Sequence, residues 1–286
     1  MEEYRLGGVV TRRIREGDTP LLLHVAVPEG AVPANGWPLV LLCDATESFA
    51  TMVETVRRCA SRPSATGIGP AIVAGLGYDR DAMDAAAIRS ARQFDYSFGP
   101  AVRDEEAQAT SACHGGGDAL LGLIADDVLP FIAANNPVDR NRISLFGHSL
   151  VGKFVLDALV RRPDPFDTFV AISPSIWWDR PALEQMIGGL SDKLQGLPPR
   201  RVMIAVGEWE EGLAPWQQVG AEAKDMAARR DRRRMIGNVR EIGVLLEQTM
   251  RAQDQVEALV FPDEDHASVI GIAYNRGLRF SNLHAK

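Results

Sequence analysis

The sequence predicts an α/β protein in which one mostly parallel sheet is covered by helices on both faces. Uninterrupted apolar runs of strand length recur along the chain: 38–43 PLVLLC, 71–77 AIVAGLG, 169–173 FVAIS and 201–206 RVMIAV. Strands buried on both faces read this way, without polar alternation. Between them lie stretches with apolar residues at helical spacing: 49–60 FATMVETVRRCA, 118–132 DALLGLIADDVLPFI and 154–160 FVLDALV. Strands that alternate with helices build parallel sheets.

The remaining elements follow in chain order. The first third reads as strands and turns, with 21–27 LLLHVAV as a further strand bounded by Gly and Pro. Between Tyr78 and Gly117 the periodicity weakens, and 78–117 is expected to be an irregular segment flanking the active site, because long connections in compact proteins are usually functional. Next come a short strand, 143–146 ISLF, the turn 147–152 GHSLVG, and the 154–160 helix, which stops before Pro163. After 169–173 the chain reads PSIWW, then a helix over 182–190, strand 201–206 and an acidic loop, Gly207 to Glu211. The block 222–247 suits an amphipathic helix broken near Gly237 and Asn238; its basic cluster, Arg229 to Arg234, reads as a solvated face. The last strand, 256–261, leads into PDEDHASV.

A chain of 286 residues can fill one large core, and no repeat or low-complexity linker divides it, so a single domain over 1–286 is expected. The formal net charge of -7 argues against a nucleic-acid partner. No apolar run has the length of a membrane span or a signal peptide, and Cys43, Cys59 and Cys113 read as thiols, which sets the expectation of a cytoplasmic protein.

The chemistry centres on GHSLVG. A strand, a glycine turn carrying serine and a helix form the nucleophile elbow usually written G-x-S-x-G. Gly147 and Ser149 keep that spacing, while Val151 stands at the second glycine and Gly152 comes one place late. An activated serine needs a base, and of the five histidines only His266 follows the final strand in a polar loop. His148, beside the serine, is assigned to packing or orientation at the edge of the substrate site; His24 and His284 are read as structural or incidental. The acid should follow strand 201–206, where Glu208, Glu210 and Glu211 crowd one loop. Glu208 is the first choice because it directly follows Gly207; Asp179 is an alternative, and a serine-histidine dyad stays open. Oxyanion donors are expected at the Leu150 amide and at one amide after PLVLLC, Ala45 or Thr46. The string His114-Gly115-Gly116-Gly117 mimics a lipase oxyanion loop but opens a later helix, so it reads as a flexible turn. Dinucleotide and Walker fingerprints are absent, and Asp263, Asp265 and His266 lack partner ligands, so neither cofactor nor metal is expected.

LFGHSLVGKFVLDALVRRPDPFDTFVAISPSIWWD resembles the nucleophile region of the esterase D-like branch of the α/β-hydrolases, especially esterases of trilactone siderophores of the enterobactin, salmochelin and bacillibactin type. The likeness extends through LLCDATESF, GLGY, RQFDYS, GGGDALLGLIADDVLPFI, AVGEWEEG and FPDEDHASV. It implies the α/β-hydrolase fold, Ser149 as nucleophile, His266 as base, and an oxyanion donor around Ala45. It also implies Arg92 as a contact for an anionic catecholate or carboxylate, and Trp177 and Trp178 as a flat wall beside the elbow. The implied substrate is a small-molecule ester or lactone, an iron-loaded siderophore. Other readings are a general small-acyl, feruloyl or thioester esterase, or a noncatalytic binding homologue. Against the family pattern, Ala45 and Val151 replace glycines.

Overall fold

The computed structural model describes residues 6–102, 113–218, 220 and 222–281. Eight strands form one sheet: β1 (Val9–Arg15), β2 (Leu21–Ala26), β3 (Trp37–Leu42), β4 (Ile72–Tyr78), β5 (Val138–His148), β6 (Thr168–Ile172), β7 (Arg201–Gly207) and β8 (Gln255–Phe261). Their order is β1-β2-β4-β3-β5-β6-β7-β8. From β4 to β8 every neighbouring pair is parallel, whereas β2 runs antiparallel to both β1 and β4. The predicted, mostly parallel sheet is therefore mixed at one end.

Position in the sheet explains which strands read clearly. Every residue of β3, β4 and β6 is buried. The edge strand β1, VVTRRIR, is largely exposed and carries three arginines, as an edge that must not pair with another chain requires. Its pattern therefore lacks the apolar run that marks the others.

The main helices are α1 (Phe49–Ala60), α2 (Ala85–Asp95), α3 (Gly117–Leu123), α4 (Leu129–Asn135), α5 (Leu150–Arg161), α6 (Arg180–Gly188), α7 (Ala223–Arg233), α8 (Met235–Thr249) and α9 (Val269–Phe280). A π-helical turn, Ile124–Val128, joins α3 to α4. Two cores lie on opposite sheet faces. One gathers Met52, Val53 and Val56 of α1 with Val269, Tyr274 and Leu278 of α9. The other gathers the inner sides of α3 to α6 and α8. Each fully buried Val, Leu or Phe there contributes roughly 1.5–3 kcal/mol through apolar burial.

Three sequence expectations need correction. The segment 78–117 is not irregular throughout: α2 lies inside it, its start capped by Asp84, whose carboxylate accepts from the Ala87 amide at 2.7 Å. Residues 103–112 of that segment lie outside the described residues. The break in 222–247 falls at Arg234, which takes a left-handed conformation with φ 44°, so Gly237 and Asn238 lie inside α8. His114 to Gly117 form a packed turn, because the amides of Gly115 and Gly117 donate to the Ser97 carbonyl and that of Gly116 to the Phe94 carbonyl.

Candidate active site

The parallel strands end on one side of the sheet, and the loops leaving β3, β5, β7 and β8 carry Asp44 to Thr46, Ser149, Glu210 and His266. Ligand sites of open α/β sheets lie at this carboxyl edge because the strand ends deliver side chains from distant sequence positions to one crevice.

Ser149 sits between β5 and α5 with φ 62° and ψ −123°, a conformation costly for a residue with a side chain. Its amide donates to the Ile172 carbonyl at 2.9 Å and its carbonyl accepts from the Ser175 amide at 3.0 Å, so both neighbours of the turn hold it. A Cβ on Gly147 would lie 2.5 Å from the Val151 carbonyl oxygen, and one on Gly152 would lie 2.6 Å from that of Ile172. The late glycine therefore performs the close strand-helix crossing. Val151 is 0% exposed and packs into the larger core.

The Ser149 hydroxyl donates to His266 Nε2 at 3.0 Å, and His266 Nδ1 donates to Glu210 Oε2 at 2.5 Å in the tautomer this network requires. Glu210 is buried, and its second oxygen accepts from the Ser173 hydroxyl at 2.6 Å and the Gly207 amide at 2.7 Å. With its lone pairs so occupied, the carboxylate is fixed in place, while the His266 side chain keeps 45% exposure toward the crevice. A serine aligned on an imidazole that a carboxylate orients can be deprotonated as it attacks an acyl carbon.

Glu208 does not reach His266. It is exposed and its carboxylate accepts from the Asp263 amide at 2.9 Å, bracing the loop that carries the histidine. The reason lies in the 3₁₀ turn Glu208–Glu210: its third residue folds back to cap the Gly207 amide, which turns that side chain toward the sheet. The spacing from Gly207 to Glu210 is the capping-box spacing, a sequence signal that could have pointed to Glu210. Ser173 had no comparable signal. Asp179 is occupied at the start of α6, accepting from the Ala182 amide.

The Ala45 amide donates to the Leu76 carbonyl at 2.7 Å and so is spent within the sheet. The Thr46 amide has no hydrogen-bond acceptor among the described residues, and Thr46 lines the same cavity as Ser149. Leu150 is the first residue of α5, where amides have no intrahelical partner and the helix dipole favours negative charge. The Ala45 methyl costs the turn little, since the positive φ of 55° belongs to Asp44.

Two cavities meet at Ser149 and His266. The larger, about 680 Å³, is lined by Asp44, Thr46, Arg92 and His148. Arg92 Nε donates to Asp44 Oδ2 at 2.5 Å, so its charge is already matched. His148 Nε2 donates to the His266 carbonyl at 2.7 Å, and burial followed by the neighbouring His266 pushes its pKa down to about 3. A neutral His148 thus holds the His266 backbone. The smaller cavity, about 150 Å³, is lined by Trp177, Ser175 and arginines of α7. Trp178 faces away: it is 7% exposed and its indole donates to the Gly99 carbonyl at 2.9 Å. Among the described residues no cluster of three His, Cys, Asp or Glu side chains is arranged to hold a metal ion.

Residues 18–264 match the model of the family described as "Putative esterase". The chain belongs to that esterase family. Among its relatives, this esterase is 32% identical to the ferri-bacillibactin esterase BesA of Bacillus subtilis, over 92% of this chain and 84% of that one. It is 34% identical to the siderophore enterobactin esterase of Emericella nidulans, over 94% and 91% of the two chains. The siderophore hydrolase EstA from Aspergillus nidulans superposes with a TM-score of 0.82 at 27% identity, covering 100% of this chain and 99% of the other. The single-domain α/β-hydrolase fold and the assignment to carboxylic ester hydrolysis follow from these likenesses, and no helix among the described residues is long and apolar enough to cross a membrane.

Proposed function

We propose that this esterase opens ester or lactone bonds of an iron-chelating siderophore through an acyl-enzyme on Ser149. The observation that carries the reading is the hydrogen-bond chain Ser149–His266–Glu210, anchored on the strained elbow where two cavities meet. The names of the relatives supply the substrate class.

In the first half-reaction the Ser149 oxygen attacks the acyl carbon while its proton passes to His266 Nε2. Glu210 stabilises the imidazolium, and the Leu150 and Thr46 amides receive the oxyanion. Collapse breaks the acyl–alkoxide bond, and His266 returns the proton to the departing oxygen. Water then attacks the acyl-enzyme, giving its proton to His266, which passes it back to Ser149 as the acid leaves. Arg92, His148 and Trp177 border the substrate, with His148 acting through the His266 carbonyl. We place the reaction in the cytoplasm, where Cys43, Cys59 and Cys113 would persist as free thiols.

The test incubates the purified protein with iron-loaded and iron-free siderophore lactones and with short-chain aryl esters, resolving products by mass. Cleavage of the lactone, lost in Ser149→Ala, is the expected result. A strong preference for the simple esters would overturn the substrate class, and turnover that survives Ser149→Ala would overturn the mechanism. Glu210→Gln should lower kcat by about 10²–10⁴, as disturbing the orienting acid does elsewhere; Glu208→Gln should lower it by less than about tenfold, since it braces only the loop.

A further inference from the structure

The arginine cluster of α7 does not simply face solvent. Arg229, Arg230 and Arg233 line the smaller cavity together with Ser149, Trp177 and His266, and the Arg233 guanidinium lies 4.1 Å from the centre of the Trp177 ring. Arg230 is the informative member. Its Nη1 donates to the Gly212 carbonyl at 2.5 Å and to Gln217 Oε1 at 2.8 Å. Both partners are neutral, and among the described residues Arg230 forms no ion pair with a carboxylate. Burial works against its charge, with Asp265 and Glu210 offsetting this only in part. A guanidinium has five N–H donors, so Nε and Nη2 keep theirs beyond these two bonds.

The opposite cavity is organised differently. There Arg92 pairs with Asp44 and Arg80 with Glu47, leaving Arg89 at the exposed rim. In a chain of net charge -7, a partly buried arginine held by neutral groups in the cavity that Ser149 lines is a local attractor for anions. Ferric iron bound by three catecholates carries net negative charge, whereas three hydroxamates leave it neutral.

We propose that Arg230, within the α7 wall, selects anionic ferric-catecholate esters over neutral hydroxamate ones. This rests on the siderophore reading above. The contact is a charge-assisted hydrogen bond in a partly desolvated site, worth about tenfold in binding.

The experiment compares kcat/KM for a ferric tris-catecholate trilactone, a ferric tris-hydroxamate ester, and a matched pair of p-nitrophenyl esters, one neutral and one bearing a carboxylate on the acyl chain. Arg230→Gln should lower the anionic-to-neutral ratio about tenfold, chiefly through KM, and Arg230→Lys should retain most of it. Raising the salt concentration should lower the ratio in the unsubstituted protein more than in Arg230→Gln. An unchanged ratio, or equal losses on anionic and neutral substrates, would overturn the proposal. Should the unsubstituted protein cleave neither siderophore, the substrate reading fails, and the p-nitrophenyl pair alone decides whether Arg230 reads charge.

Discussion

At the elbow after β5, the glycines that let strand and helix cross, Gly147 and Gly152, belong to the same turn as Ser149. At the turn after β3, the room is made elsewhere: Gly75 and Gly77 of β4, on one face of that strand, would place a Cβ 2.7 Å from the Ala45 Cβ and 2.9 Å from Thr46 Oγ1. Both turns put a non-glycine residue at positive φ, Ser149 at 62° and Asp44 at 55°. Both carry a larger residue, Ala45 and Val151, where the family pattern that the sequence resembles has glycine. The difference teaches that a replaced glycine is tolerated when it was neither the residue at positive φ nor the one at the close approach. The first turn solves this within six residues of sequence, and the second solves it across the sheet.

Substituting the crossing glycines breaks this scheme most severely. Gly152→Ala drives a methyl against backbone at Ile172 and Pro174, which cannot swing away, so urea unfolding should show a loss of about 3 kcal/mol or more, or no folded protein. A fully stable Gly152→Ala would remove the assignment of Gly152 as the crossing residue. Restoring the family glycine by Val151→Gly should also destabilise, by about 2–4 kcal/mol, through lost burial and helix propensity. It should leave kcat no higher; a faster enzyme of unchanged stability would mean that Val151 distorts the elbow.

The elbow also has an acid sensitivity, carried by His148. His148 titrates near 3 when folded and near 6.5 when unfolded, so between those values the unfolded chain binds the extra proton. Stability therefore falls as pH drops below about 6.5 and this contribution stops growing near 3, with a loss of about 2 kcal/mol by pH 5. His148→Gln, which can still donate to the His266 carbonyl, should flatten that limb of a stability-against-pH curve.

The β3 turn gives the smaller effects. Gly75→Ala should cost about 1–3 kcal/mol, because its methyl meets Ala45 and the ring of Phe49. Ala45→Gly alone should cost less than about 1 kcal/mol, and combined with Gly75→Ala it should recover at least about 0.5 kcal/mol. Strict additivity of the two substitutions would show that Gly75 does not make room for Ala45.

What could be read from the chain tracks how local each signal is. The central strands and α1 announce themselves because double-sided burial and amphipathic spacing are written in consecutive residues. The edge strand β1 and helix α2, with few buried residues, do not. Within the site, Ser149 and His266 follow from chain order, whereas adjacency to the strand end favours Glu208 and the fold-back of a single turn brings Glu210 to the histidine instead.

The sequence by itself determined the strand-helix alternation, the elbow, and the order of elbow serine, acidic loop and histidine, since each depends on neighbours within a few positions. Only the tertiary structure decided that Glu210 meets His266, that Leu76 takes the Ala45 amide and leaves Thr46 open, that Trp178 turns away, and that Arg229, Arg230 and Arg233 of α7 line the cavity at Ser149. Those choices depend on which hydrogen-bond partners and which surfaces distant strands and helices bring together, and no local pattern encodes that.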